Sequence, residues 1–167
     1  MKAVGSTERL VHIKAGQIRL EGALAVPERA TGMALFAHGS GSSRRSPRNN
    51  FVAQVLQKAG LATLLMDLLT REEDVDYARR FDIDLLAERL KDATEWLEKD
   101  EDTSGLKIGY FGASTGAAAA IKAAVDVDEG GTIGAIVSRG GRPDLAQDSL
   151  ADLKAPILFI VGGMDDI

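Results

Sequence analysis

The sequence predicts an α/β fold: a doubly wound, mostly parallel sheet with an antiparallel edge at its N-terminal end. Short unbroken apolar runs at residues 33–37, 61–66, 108–111, 132–137 and 157–161 have the length and character of strands buried on both faces. Stretches with the helical period lie between them, so strand and helix alternate along the chain, as right-handed crossovers in a parallel sheet require. Alternation of apolar and polar residues near the N-terminus adds an antiparallel pair. The 167 residues are enough for one compact domain, and the span 1–167 is read as one.

In chain order, Val11, His12 and Ile13 and then residues 18–26 alternate around Gly16, as two antiparallel strands with one wet face would, and Pro27 ends them. His12 falls opposite Val11 and Ile13 and reads as a solvated strand residue. The buried run 33–37 opens into His38-Gly39-Ser40-Gly41-Ser42-Ser43-Arg44-Arg45. Residues 49–59 show helical spacing, which puts Phe51, Val52, Val55, Leu56 and Ala59 on one face, with Gly60 as the stop. The strand 61–66 closes at Asp67. Residues 71–81 are charge-dense and aperiodic and read as a surface excursion. Residues 83–97 form an amphipathic helix with Ile83, Leu86, Leu90, Ala93 and Leu97 inward and a solvated charged face outward. A polar turn, 98–105, precedes the strand 108–111, and the helix after it runs to about Val125. The strand 132–137 leads into Ser138-Arg139-Gly140-Gly141-Arg142-Pro143-Asp144. Residues 148–153 read as a short helix or turn, and Pro156 opens the last run, which stops at Gly162.

The stretch LKIGYFGASTGAAAA, residues 106–120, organises the chain. A buried strand breaks at Gly112, and Gly112-Ala113-Ser114-Thr115-Gly116 is followed by four alanines. G-x-S-x-G between strand and helix is the pattern of a nucleophile elbow. Gly112 and Gly116 remove Cβ atoms where strand and helix cross, and residues 117–120 let the helix lie tight against its neighbours. The helix N-terminus then points its free N–H groups at whatever reacts with Ser114. The plainer alternative is a glycine-rich turn with Ser114 as a helix cap. Ser104 is a turn serine by comparison.

A serine nucleophile needs a base, a group that orients the base, and donors for the oxyanion. Thr115 N–H, directly after Ser114, is one expected donor. Ser40 N–H, in the loop after the first buried parallel strand, is the second, with Gly39 letting that backbone come close. The alternative for this loop is a dinucleotide turn, Gly39-Ser40-Gly41 with Asp67 as ribose partner. Arg44 stands where the third glycine belongs and Pro47 delays the helix, which weakens that reading. Asp165, after the last strand and Gly162-Gly163-Met164, is the expected orienting acid, with Asp166 as its rival.

These residues resemble the dienelactone-hydrolase-like branch of the α/β-hydrolases. The resemblance rests on LFAHGSGSSRRSPRN (35–49), GYFGASTGAAAA (109–120), VSRGGRPDLA (137–146) and FIVGGMDD (159–166), and it covers the chain from Ile18 onward. It implies Ser114 as nucleophile, Ser40 and Thr115 as oxyanion donors, and Asp165 as acid. It also implies a base histidine after one further strand, C-terminal to the acid, and a final helix; none of these lies within the 167 residues, so the fold is expected in a C-terminally truncated form. The dienelactone hydrolases that give the family its name use cysteine as nucleophile. Ser114 in that place favours ordinary ester hydrolysis. His38 sits where a histidine of this fold usually holds the oxyanion loop through hydrogen bonds, and it is a weak candidate for the base. Arg139 and Arg142, at a strand end facing the site, have two readings of equal weight. They bind an anionic group of the substrate, together with His38 and Gly39 as substrate-contacting residues, or they pair with Asp144 or Asp148 and shape the loop.

Composition narrows the function classes. Cysteine is absent, which excludes a disulfide scaffold, a thiolate metal site and a cysteine nucleophile. Two histidines, His12 and His38, make no histidine-rich metal site, and no cofactor is expected. A formal charge of −5 implies no attraction to nucleic acid or anionic membrane. No apolar run reaches membrane-spanning length and residues 1–12 lack a signal-peptide core, so a cytoplasmic protein acting on a small-molecule ester is expected. The first functional reading is a serine hydrolase of carboxylic esters, of esterase or lactonase type. A non-catalytic binding module on the same fold, and acyl transfer or cofactor-free haloperoxidase chemistry, are the rivals. The strand 157–161, apolar and without a blunting lysine or inner proline, is also expected to recruit a second copy through its free edge.

Overall fold

The sheet is wound outward in both directions from its centre. The computed structural model describes residues 6–127 and 131–165; Asp166, the rival acid, lies outside them. Seven strands stand in the order β1-β2-β4-β3-β5-β6-β7: β1 (Ser6–Ala15), β2 (Ile18–Pro27), β3 (Gly32–Ala37), β4 (Leu61–Met66), β5 (Ile108–Ser114), β6 (Ile133–Gly141) and β7 (Ile157–Ile160). The β1–β2 and β2–β4 pairs are antiparallel, and β4–β3, β3–β5, β5–β6 and β6–β7 are parallel. The chain leaves β3 toward β4 and later returns to β5 on the other side. The loops after β3 and β5 therefore diverge and leave a crevice at the carboxyl ends of two adjacent strands. That crevice lies between residues 38–45 and the elbow.

The helices are α1 (Pro47–Lys58), α2 (Arg71–Asp74), α3 (Ile83–Lys99), α4 (Thr115–Val127) and α5 (Gln147–Leu150), with 3₁₀ turns at Tyr77–Phe81 and Pro143–Ala146. α3 and α4 cover one face of the sheet. Leu86, Leu90, Ala93 and Leu97 of α3 and Ala119, Ala120, Ala123 and Ala124 of α4 pack there on Leu35, Leu64, Tyr110 and Ile136. The alanines follow from geometry, since a helix emerging from a tight turn lies too close to the sheet for larger side chains. Buried Tyr110 keeps a hydrogen-bond partner, Thr94 Oγ1 at 2.7 Å, which ties α3 to β5.

The other face carries α1 over a smaller cluster of Phe36, Ala53, Leu65 and Phe111. Here the helix presents a different stripe from the expected one. Asn49, Val52, Ala53 and Leu56 turn inward, while Phe51 and Val55 are 68% and 49% exposed. The reason is steric: the Phe36 and Phe111 rings, 5.0 Å apart between centroids, already fill this layer and leave room for an alanine. Polar bonds hold the same helix register, from the Ser46 cap to Asn49 N–H, from Gln57 to Thr63, and between Asn49 and Arg139. Beyond α1, the β5–β7 part of this face is uncovered. It forms an open apolar groove of about 500 Å³ along Phe111, Val137, Leu158 and Ile160.

Residues 71–81 also differ from expectation. They lie at the surface but fold into helical turns held by local polar bonds rather than by a buried stripe. Thr70 and Glu73 form a reciprocal capping box at the start of α2, and Arg89 of α3 clasps Glu73. The motif T-x-x-E at residues 70–73 was the sequence signal for this turn. The remaining differences are in the ends of elements. β1 is ten residues long, β5 and β6 run on through Ser114 and Gly141, and helical turns occupy residues 143–150.

Candidate active site

Ser114 sits at the tip of β5 with φ +51°, a left-handed conformation that a residue with a Cβ adopts at a cost of about 1–3 kcal/mol. Three glycines make this geometry possible. A Cβ on Gly112 would stand 2.5 Å from Ala117 Cα, and one on Gly116 would stand 2.1 Å from the Ala37 carbonyl oxygen. Both would collide with backbone that cannot move aside. A Cβ on Gly39 would stand 2.9 Å from Ser114 Cβ, so the loop after β3 lies against the elbow. The Ser114 carbonyl accepts the Arg142 N–H at 3.2 Å, which links the elbow to the segment after β6.

Thr115 is the first residue of α4, so its N–H has no acceptor within the helix and lies at the positive end of a 13-residue helix dipole. Its side chain is buried and its Oγ1 has no partner. On the facing loop, the Gly39 carbonyl accepts two bonds, from Ser42 N–H at 3.1 Å and from His38 Nδ1 at 2.9 Å. Gly41, at φ +69°, completes the Gly39–Ser42 turn. A trans peptide points its N–H opposite its carbonyl. Anchoring the Gly39 oxygen therefore sets the direction of the Ser40 N–H.

His38 is buried and both ring nitrogens are occupied. Nε2 accepts the Leu68 N–H at 3.0 Å, and Nδ1 then carries the proton donated to Gly39. Burial holds its pKa below the ordinary value, against a smaller opposite pull from the Gly39 carbonyl and from Asp67 and Asp74. It is neutral and without a free lone pair, so it holds the loop and is no base for Ser114. His12 is exposed on β1, at the far edge of the sheet.

Asp165 follows β7 in a turn closed by its own N–H on the Gly162 carbonyl at 3.0 Å. Its Oδ2 lies 3.7 Å from where a Cβ on Gly140 would be, and Gly141 is the register partner of Ser114. The acid turn and the elbow are thus neighbours across the end of β6. The two arginines separate. Arg142 is paired with Asp144 through Nε at 2.9 Å and Nη2 at 2.7 Å, as the loop-shaping reading describes. Arg139 instead turns to the α1 face. It donates to Asn49 Oδ1 at 3.1 Å and lies 5.9 Å over the Phe111 ring, and burial, then Arg48, lower its pKa. Three further residues stand around the loop after β3. Arg44 and Asp67 are ion-paired behind the loop, and Arg80, held by the Asp74 carbonyl, approaches Gly41. Asp67, the ribose partner of the dinucleotide reading, has both oxygens on Arg44. Among the described residues no cluster of three or more His, Cys, Asp or Glu could hold a metal ion, and no helix is long and apolar enough to cross a membrane.

The sequence profile of the dienelactone hydrolase family matches residues 21–167. The chain belongs to this family. It is also similar to the crystal structure of a dienelactone hydrolase from Anabaena variabilis, with 58% identity and a TM-score of 0.90 over 96% of this chain and 75% of that one. A dienelactone hydrolase-like promiscuous phosphotriesterase from metagenomic libraries shares the fold at 19% identity, with a TM-score of 0.78, over 97% of this chain and 71% of that one. Among curated proteins it is 57% identical, over 157 residues, to a Mycobacterium tuberculosis protein provisionally named a phosphoribosyl transferase. That match takes in 94% of this chain and 35% of the relative, so the chain spans about a third of the length of the curated relatives it matches. The α/β-hydrolase fold brings the loop after β3, the elbow and the Asp165 turn to one end of the sheet.

Proposed function

We propose that this dienelactone hydrolase-family domain carries the nucleophile, oxyanion donors and acid of a serine hydrolase acting on carboxylic esters. The observation that supports this most is Ser114 at φ +51° on a glycine-cleared strand-to-helix turn, with Gly39 packed against its Cβ. A strained serine in such a place is costly and is explained by chemistry. In the proposed reaction, Ser114 Oγ adds to the ester carbonyl carbon while a base takes its proton. The carbonyl oxygen, now negative, is held by the N–H groups of Ser40 and Thr115. Collapse expels the alcohol, which leaves with that proton, and water then releases the acid from acyl-Ser114 by the same steps. Asp165 orients the base. His38 and His12 are not placed for that role, and the proposed base is the histidine C-terminal to the acid that the family resemblance implies. The Anabaena relative's name supports a hydrolase. The transferase name belongs to a relative of which this match is 35%, and the match alone does not bring that activity here.

One observation favours a second reading, a non-catalytic binding module: both histidines of the chain are engaged or remote. A fluorophosphonate probe separates the two. Labelling of the full natural protein that is lost in Ser114→Ala supports the hydrolase. A folded protein that resists the probe, with or without Ser114, rejects it.

A further inference from the structure

Two consecutive residues just past β4 hold the loop after β3 at both of its ends. At the near end, Leu68 donates its N–H to His38. At the far end, Asp67 Oδ1 accepts the backbone N–H of Arg44 at 2.7 Å, and Asp67 Oδ2 is paired with the Arg44 guanidinium. Arg44 does more than pair with Asp67. Its second Nη pairs with Glu21 on β2, and its carbonyl accepts Asn50 Nδ2 at 2.8 Å, in the first turns of α1. The Arg44 and Asp67 side chains are 13% and 21% exposed, so water screens their pairing only in part. Between the two anchors the chain makes the turn Gly39–Ser42, and Arg44 itself lies in the turn Ser43–Ser46, each closed by a backbone bond. Only three residues separate Ser40 from Arg44, so a shift at Arg44 is felt at the Ser40 peptide.

We propose that Arg44, acting through Asp67, is a positioning residue that sets the place of the Ser40 N–H beside Ser114. This rests on the serine-hydrolase reading and extends it to a residue that acts through the loop. Arginine is required because one planar fork reaches Asp67 and Glu21 with separate nitrogens, which a lysine ammonium cannot do from the same place. The oxyanion bond strengthens only as charge develops on the substrate oxygen. Loosening the loop therefore raises the transition state and leaves substrate binding nearly unchanged.

The test measures kcat and KM for a nitrophenyl ester, and affinity for a trifluoromethyl ketone, in the full natural protein. The variants are Arg44→Ala, Asp67→Asn, the double variant, and Ser114→Ala as control. Arg44→Ala is expected to lower kcat on the order of 10- to 100-fold, less than the outright loss of an oxyanion donor. KM should stay within about twofold, ketone affinity should fall in parallel with kcat/KM, and the double variant should fall no further than either single one. If Arg44→Ala does not fold, Asp67→Asn, which keeps an acceptor for the Arg44 N–H, is judged by the same criteria. Unchanged kcat in a folded variant, or a raised KM at unchanged kcat, overturns the inference while the hydrolase reading stands. No turnover in the wild type, or turnover that persists in Ser114→Ala, overturns that reading and this inference with it.

Discussion

On one side of Ser114, the loop after β3 has its anchors paired: His38 at both nitrogens, Gly39 at its carbonyl, and Arg44 at its N–H, carbonyl and guanidinium. On the other side, at the end of β6, Ser138 Oγ and Arg139 Nε are buried without a partner, and Asp165 stands exposed in a turn of its own backbone. β7 continues that flank with Leu158, Phe159 and Ile160 each about half exposed. The loop that carries the proposed oxyanion donor Ser40 is thus held in place by side chains that lock one another, as a donor must be if it is to cost no reorganisation in the proposed reaction. The flank that carries Asp165, the proposed acid, is held mainly by strand pairing and turns.

Glycine substitutions break this comparison most sharply. Gly116→Val should destabilise the fold severely, because its Cβ would overlap the Ala37 carbonyl, whereas the Cβ of Gly163→Val meets nothing within 4 Å. Urea titration should show a loss upward of about 3 kcal/mol for the first and little change for the second. A tolerated Gly116→Val would remove the close helix–strand crossing from the account of the elbow.

His38→Leu is the next largest. It leaves the Leu68 N–H buried without an acceptor, at a cost of about 1–3 kcal/mol. The same residue sets a pH dependence. Its pKa is lowered in the fold, so His38 of the unfolded chain takes up a proton as pH falls through about 6.5, while His38 of the folded chain stays neutral. Stability from neutral His38 is complete above that pH and declines below it, toward the lower folded pKa. Thermal melts between pH 7.5 and about 5, a range set by that titration, should show this decline in the wild type, and His38→Leu should lack it.

β7 supplies a third contrast. We propose that this edge associates with a second copy, since among the described residues it pairs with β6 alone and presents apolar side chains beside the groove. Sedimentation of the 167-residue chain should show a concentration-dependent species that Ile160→Lys removes. A wild-type chain that remains monomeric would refute the association. The smallest effect is expected at Arg142→Ala, whose pairing with Asp144 lies at the surface, two residues along the same loop. Its melting temperature should match the wild type at low and high salt, in contrast to Arg44→Ala.

Much of the fold was legible because its signals are local. Buried parallel strands are apolar runs, and the elbow needs small residues at set spacings around Ser114. The α1 face was misread because Phe51 and Val55 share the helical period with Val52 and Leu56. Only the Phe36–Phe111 pair beneath the helix decides which stripe turns inward. The turns at 71–81 were missed because capping, rather than periodicity, forms them. Arg139 and Arg142 look alike in sequence, yet one lies over Phe111 and the other pairs two residues along. Neighbouring strand positions point to opposite faces, and a short stretch with an irregular register sends them to different surroundings.

The sequence by itself determined the class of the fold, the order of its elements and the elbow with Ser114 at its tip. Those features depend on spacing, residue size and backbone freedom within a few neighbours. Tertiary structure alone decided that Asp67 and Leu68 grip both ends of the loop after β3, that His38 is neutral with both nitrogens engaged, and that Asp165 lies beside Gly140. Each of these depends on a contact between groups more than 20 residues apart in sequence, and such contacts exist only once the sheet has aligned the strand ends.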